Sequence, residues 1–163
     1  LCKQMNSQGL QIMRARSFNH FGPGQKENFV VAALTKRMLL AQQLEQSEIL
    51  VGNLATIRDF TDVRDVVRAY RLILTKGEGG NVYNVCSGIG RKISELATTL
   101  LSKINSELEL KLDTKLQRPS DTPVLIGDYS KLHKQTGWEP RIGFDRTIED
   151  TIEFTRTLMT QEL

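Results

Sequence analysis

Apolar and polar positions change period several times along this chain, and each change marks an element. Leu10-Gln11-Ile12-Met13-Arg14-Ala15-Arg16 alternates and is apolar enough for a buried strand, and Gly22, Pro23 and Gly24 forbid helix or ladder beyond it. Asn28 stands where a cap belongs for a helix from Phe29 to about Gln43, since Val30, Val31, Leu34, Met38 and Ala41 recur at helical spacing. Glu48 to Gly52 reads as a short strand and Ile57 to Val63 as an extended segment. Thr61 or Asp62 then caps a helix whose predicted buried stripe is Val63, Val66, Val67, Tyr70, Ile73 and Leu74, leaving Arg64, Arg68 and Arg71 in water.

After Gly77-Glu78-Gly79-Gly80, the run from Asn81 to Ser87 predicts a strand buried on both faces, the signature of a parallel sheet. A helix from Ser94 to about Asn105 follows, with Leu96, Ala97, Leu100, Leu101 and Ile104 inward, and Leu108 to Leu116 alternates like an edge strand. Asp128 is placed to cap a short helix, Tyr129 to Thr136, stopped by Gly137; the last helix is expected from about Asp145 to Met159, with Ile148, Ile152, Thr155 and Met159 inward. Strands and helices alternate without repeats or low-complexity linkers, so the class is α/β.

Composition narrows the function. The 163 residues suffice for one domain with a real core, and 39 % hydrophobic with 25 % charged residues is a globular balance. No apolar run reaches the roughly 18 residues of a membrane helix, and no signal-peptide pattern opens the chain, so a cytoplasmic protein is expected, without a membrane partner. Cys2 and Cys86 lack CxxC spacing and read as reduced thiols, and two histidines give metal chemistry little support. The charge of +3 is spread along the chain, which favours a small anionic ligand over nucleic acid.

Candidate chemistry sits where the first strand ends. Ligands of open α/β sheets bind at the carboxyl ends of strands, so Asn19 and His20 are aimed at a ligand by the element behind them, although a polar turn after an edge strand accounts for the same residues. The following helix offers unpaired amides and a partial positive charge to an anion near Gln25 to Phe29. Arg58, in an extended segment, has the planar fork that grips a phosphate, with an internal ion pair to Asp59 or Asp62 as the rival explanation.

Six stretches taken together resemble a known family: Phe18-Asn19-His20-Phe21-Gly22-Pro23; Gly52-Asn53-Leu54 with Arg58-Asp59-Phe60-Thr61-Asp62-Val63-Arg64-Asp65-Val66-Val67-Arg68-Ala69; Tyr83-Asn84-Val85-Cys86-Ser87-Gly88; Arg118-Pro119-Ser120-Asp121; Gly127-Asp128-Tyr129-Ser130-Lys131-Leu132; and Thr136-Gly137-Trp138-Glu139-Pro140. They resemble the extended short-chain dehydrogenase/reductases that act on nucleotide sugars, the NAD-dependent epimerase/dehydratase family. Within it the wording is nearest the GDP-mannose branch, its 4-keto-6-deoxy-mannose reductases first and its 4,6-dehydratases next. The resemblance runs over essentially the whole chain and implies the C-terminal part of an NAD(P)-binding Rossmann-like fold. Residues 1–163 are then expected to be the substrate-binding half with the last Rossmann strands, at about 10–17 and 81–87. Those strands are expected to be parallel neighbours at a sheet remnant with an exposed apolar edge, covered in a homodimer.

The family's glycine-rich fingerprint, catalytic Ser/Thr and Tyr-x-x-x-Lys pair lie upstream of this region. None is present here: Tyr70, Tyr83 and Tyr129 are followed at that spacing by Leu74, Ser87 and His133. The opening Leu1-Cys2-Lys3-Gln4-Met5-Asn6 reads as the last turns of a helix closed by Gly9, so the chain is expected to be a fragment lacking a half on the order of 150 residues. By resemblance, Phe18 packs near the nicotinamide of NADP or NAD and His20 contacts that cofactor. Asn19 bonds the substrate diphosphate, Arg58 and Arg118 grip it from two sides, and Asp121 accepts the ribose hydroxyls. No catalytic residue is assigned within the chain. Gln25 stands where the dehydratases carry an arginine, a departure toward the reductases. The implied activity of the intact protein is reduction of the C4 ketone of a GDP-4-keto-6-deoxy-hexose. GDP-mannose 4,6-dehydration and nucleotide-sugar 4-epimerisation are the enzymatic alternatives, and an inert nucleotide-sugar-binding fragment is the non-enzymatic one.

Overall fold

A computed structural model describes residues 9–105, 107–116 and 122–161. The expected first strand contracts to β1 (Arg14–Ser17), which pairs in parallel with β5 (Val82–Val85), Arg14 opposite Val82 and Ser17 opposite Val85. These are the two segments expected to be neighbours. Both are less buried than their apolar content suggests. Arg14, Ala15 and Arg16 are exposed, so the edge of β1 is polar instead of apolar. In β5 Tyr83 and Val85 are buried while Val82 and Asn84 are half-buried, correcting the two-faced burial. The second face is polar for a visible reason: the Asn84 carboxamide accepts from Arg16 Nε at 3.1 Å and donates to the Asp128 carbonyl at 3.0 Å.

A second sheet carries the strand-end loop. Here β2 (Asn19–Phe21) runs parallel to β4 (Ile57–Asp62), Asn19 opposite Phe60 and His20 opposite Thr61. On its other side β4 pairs antiparallel with β6 (Gly90–Lys92) and in parallel with β8 (Val124–Leu125). Neither β6 nor β8 shows in the hydrophobic pattern, because strands of three and two residues are too short to display a period. A third sheet joins β3 (Glu48–Val51) to β7 (Glu109–Leu112) in parallel, so the expected edge strand ends early, at a 3-10 turn over Thr114–Leu116.

Helix α1 (Val30–Gln43) begins one residue late and is not capped by Asn28. Phe29 is the last extended residue and its carbonyl accepts the first helical bond, from Ala33 N, leaving Asn28 a position too early. Helix α2 (Val63–Lys76) is capped as expected, Asp62 Oδ1 accepting from Arg64 N at 2.7 Å. Its buried face keeps only part of the expected stripe: Val66 and Ile73 are inside, joined by Asp65 and Ala69, while Val67, Tyr70 and Leu74 are exposed at 61 %, 40 % and 74 %. Arg68 is not simply solvated either, since it pairs with Asp65 at 2.6 Å and lies 5.8 Å from the Trp138 ring centre. Helix α3 (Ile93–Ile104), α4 (Ser130–Thr136) and α5 (Phe144–Gln161) match the expected helices to within one or two residues. Asp128 Oδ1 accepts from Ser130 N at 2.8 Å, and Gly137 closes α4 with a φ of 73° that suits glycine.

Two cores result. One packs α1, α3 and α5 over β2 and β4, with Phe21, Phe60 and Phe144 meeting edge-on or tilted, 5.5–6.4 Å apart. The other packs α2 and α4 against β5 around the fully buried Trp138. Buried carboxylates fasten loops to these cores. Asp65 accepts from Arg141 N and Ile142 N at 2.8 and 2.9 Å while its carbonyl takes Trp138 Nε1 at 3.0 Å, so the Trp138-Glu139-Pro140 loop is held to α2.

Candidate functional site

The strand end becomes a site because the chain cannot continue straight. Gly22 has a φ of 153°, and a side chain there would come within 2.8 Å of Val63 Cγ1, so only glycine lets the loop leave β2 across the start of α2. Gln25 N donates to the Gly22 carbonyl at 3.3 Å, and Gln25 Nε2 returns to the His20 carbonyl at 2.7 Å. His20 Nδ1 is 3.0 Å from the Phe18 carbonyl, which orients the ring and leaves Nε2 for a ligand. Beside this loop lies a cavity of about 580 Å³ with Phe18, Asn19, His20, Phe29, Val63 and Leu125 in its wall. Phe18 is held from behind: a methyl group on Gly127 would sit 2.9 Å from its ring and 2.5 Å from Cys86 Sγ.

A second cavity, of about 420 Å³, shares Asn19, His20, Gln25 and Phe29 with the first and adds Arg58, Arg37 and Asn53. The parallel pairing of β2 and β4 brings Asn19 and Arg58, distant in sequence, into one wall. Arg58 Nη1 donates to the carbonyls of Ile57 and Thr122, at 2.9 and 2.7 Å. The start of α1 also opens here, with Phe29, Val30 and Val31 in the lining, and its partial positive charge would favour an anion. Arg118 and Asp121 lie outside the described residues. The chain on either side of them is at the cavity: Leu116 lines it, and Thr122 binds Arg58.

The carboxylates offered as rivals for Arg58 are spent elsewhere. Asp59, fully buried, accepts from Ser87 N and Oγ at 2.7 and 2.6 Å, Gly88 N at 2.9 Å and Gly127 N at 3.2 Å. Asp62 takes Arg64 and Thr147. Burial pushes the Asp62 carboxyl up, but hydrogen bonds from Arg64 and Thr147 outweigh it and hold the group below the usual carboxylate range. Burial, then the Asp59 charge, pushes the Cys86 thiol up to about 12, so this cysteine is inert packing. Leu125 and Val63 are wall residues the sequence did not single out as lining; the first belongs to a two-residue strand with no sequence signal.

Comparison with known proteins accounts for this arrangement. The family model described as GDP-mannose 4,6 dehydratase matches residues 2–151. GDP-6-deoxy-D-mannose reductase of Pseudomonas aeruginosa is 39 % identical over 150 residues, covering 91 % of this chain and 49 % of the relative, and GDP-mannose 4,6 dehydratase 1 of Arabidopsis thaliana is 26 % identical, covering 94 % and 43 %. The structure of RMD from Pseudomonas aeruginosa complexed with NADPH superposes with a TM-score of 0.86 at 35 % identity, covering 96 % of this chain and 52 % of that one. UDP-glucose 4-epimerase of Thermotoga maritima superposes at 0.83 and 30 % identity, covering 93 % and 48 %. The chain thus spans about half the length of the curated relatives it matches. With its parallel α/β pairing, its two adjoining cavities and these matches, the chain belongs to the GDP-mannose 4,6-dehydratase family of extended short-chain dehydrogenase/reductases.

Proposed function

We propose that this chain is the C-terminal, substrate-binding half of an NAD(P)-dependent nucleotide-sugar oxidoreductase, which in its intact form reduces the C4 ketone of a GDP-4-keto-6-deoxy-hexose. The observation that carries the reading is the wall shared by the two cavities: Asn19 and His20 line both, Arg58 lines one and Phe18 the other, joined through adjacent strands. A diphosphate suits the Arg58 cavity, where a guanidinium, a carboxamide and a helix start converge. Arg118 and Asp121 are assigned to the same substrate, as second diphosphate clamp and ribose acceptor.

The larger cavity fits the nicotinamide end of NADP or NAD. Phe18, Phe29, Val63 and Leu125 give a flat ring an apolar wall, and His20 Nε2 is the polar group beside it. A bound dinucleotide supplies the hydride. The chain's own residues bind the sugar nucleotide, hold its diphosphate against β4, exclude water with the aromatic wall and present the sugar toward the neighbouring cavity. No Tyr-x-x-x-Lys pair stands in this sequence, so the chain alone is expected to be inactive. A homodimer and a cytoplasmic location complete the proposal; no helix among the described residues is long and apolar enough to cross a membrane.

The test joins the chain to a dinucleotide-binding half carrying the glycine-rich loop and the Tyr-x-x-x-Lys pair, and follows oxidation of NADPH or NADH on GDP-4-keto-6-deoxy-mannose. Activity of the joined protein with none from the chain alone is expected. Oxidation by the isolated chain overturns the placement of the catalytic groups, and a 4,6-dehydrated or C4-epimerised product from a joined protein reassigns the reaction.

A further inference from the structure

The Arg58 cavity runs on past the place proposed for a diphosphate. Val30 and Arg37 both line it. They stand about two turns apart on α1, which at roughly 1.5 Å of rise per residue is about 10 Å, the order of a ribose and a purine laid end to end. Ala33, one turn short of Arg37 on the same face of the helix, also lines the cavity and is too small to block the way. Leu34, Val51, Leu54 and Leu116 give this end aliphatic walls for the faces of a flat ring. The Leu116 backbone closes it off: a Cβ on Gly52 would lie 2.7 Å from the Leu116 carbonyl oxygen, so glycine is what lets the two segments meet.

The polar groups here are donors. Arg37 Nη2 donates to the Leu50 carbonyl, which holds the guanidinium beside β3. Among the described residues Arg37 has no carboxylate partner, so most of its N–H groups are unspent. Asn53 Oδ1 accepts from Ala55 N at 2.9 Å, which leaves the NH2 group as the free end of that side chain. Among the described residues the one carboxylate in the lining is Glu27, and it is paired with Lys36 at 2.6 Å. A ring edge with two adjacent acceptors suits a guanidinium fork. Guanine has that edge, O6 beside N7, whereas adenine places an N6 donor there and uracil offers one acceptor on a shorter ring.

We propose that Arg37 selects the base of the nucleotide: its guanidinium, held by the Leu50 carbonyl, forks onto O6 and N7 of guanine, with the Asn53 NH2 group as a further donor. This assignment rests on the diphosphate reading of the Arg58 cavity. The test measures, by calorimetry at fixed salt, the binding of GDP, inosine diphosphate, 7-deaza-GDP and UDP to the chain and to Arg37→Met, which keeps an apolar stem and removes the fork. GDP and inosine diphosphate share O6 and N7 and are expected to bind alike. Without N7, 7-deaza-GDP should bind severalfold more weakly, and UDP about tenfold more weakly than GDP, the scale of one bidentate base contact. Arg37→Met should weaken GDP by about tenfold and leave UDP unchanged, and that retained UDP binding also shows the variant folded with its Arg58 end intact. Arg37→Lys, a point charge without the planar fork, should recover only part of the loss. Equal affinity of the chain for GDP and UDP, or a loss in Arg37→Met that UDP shares, overturns the assignment and leaves the diphosphate reading standing. Failure of all four diphosphates to bind overturns both.

Discussion

Replacing Asp59 by asparagine keeps the shape of the side chain and removes one oxygen, which makes it a sharp test of what holds the site together. The carboxylate is fully buried and accepts four hydrogen bonds: Ser87 N and Oγ reach Oδ1, and Gly88 N and Gly127 N reach Oδ2. An asparagine can keep the first pair on its carbonyl oxygen. Its NH2 group then faces the amides of Gly88 and Gly127, donor against donor, and both bonds are lost. A hydrogen bond to a charged group contributes about 1.5–3 kcal/mol, so two lost bonds cost about 3–6 kcal/mol. That is a large fraction of the roughly 5–15 kcal/mol that keeps a domain folded. The loss also reaches the larger cavity, because Gly127 backs the Phe18 ring. Urea unfolding of the parent and Asp59→Asn should show the midpoint falling by the equivalent of that energy at unchanged slope. Ser87→Ala, which deletes one donor to the same carboxylate, should cost clearly less. An Asp59→Asn stability within about 0.5 kcal/mol of the parent, the usual range for an exposed site, would refute the view that this carboxylate fastens the loops behind the site.

Three further outcomes follow from the same geometry. Arg58→Ala should weaken GDP binding by about 2–4 kcal/mol, the range for a buried charged partner, measured calorimetrically at fixed salt; Arg58→Lys should recover only part, since it keeps the charge without the fork, and an unchanged affinity in both would remove Arg58 from the anion site. The Asp62 carboxyl has a folded pKa below its ordinary 3.8, so its contribution to stability is complete above that value and is lost as pH falls through the folded pKa; urea midpoints measured down the acid limb should fall less steeply in Asp62→Asn, and parallel curves would count against the Arg64 and Thr147 bonds. Val67 and Leu74, exposed on one face of α2 at 61 % and 74 %, form an apolar row that should drive concentration-dependent association of the chain, and a Val67→Lys, Leu74→Glu pair should reduce it in sedimentation experiments.

Local information set much of this molecule from the sequence alone. Every described helix was legible, because a core-facing helix repeats its apolar residues over three or more turns, and caps such as Asp62 and stops such as Gly137 are matters of one residue's chemistry. The place of Asn19, His20 and Arg58 at cavity walls was legible for a similar reason: glycines and a proline force the chain to turn at a strand end, and an arginine preceding a helix in an extended segment stands out from the amphipathic pattern. What periodicity could not decide was which apolar residues find a neighbour. Val67, Tyr70 and Leu74 carry the helical pattern as well as Val66 and Ile73 do, yet only the latter meet Tyr83, Leu132 and Trp138, since burial belongs to the packing of α2 and not to its spacing. The shared cavity wall was likewise a tertiary result. Asn19 shares a wall with Arg58 only through the register of β2 on β4, β8 brings Leu125 to the neighbouring cavity by pairing at two residues, and the donors that converge on Asp59 come from segments separated along the chain by α3 and by β6, β7 and β8. Hydrogen bonds between such distant groups leave no period in the sequence, which is why candidate residues can be named from it and their arrangement cannot.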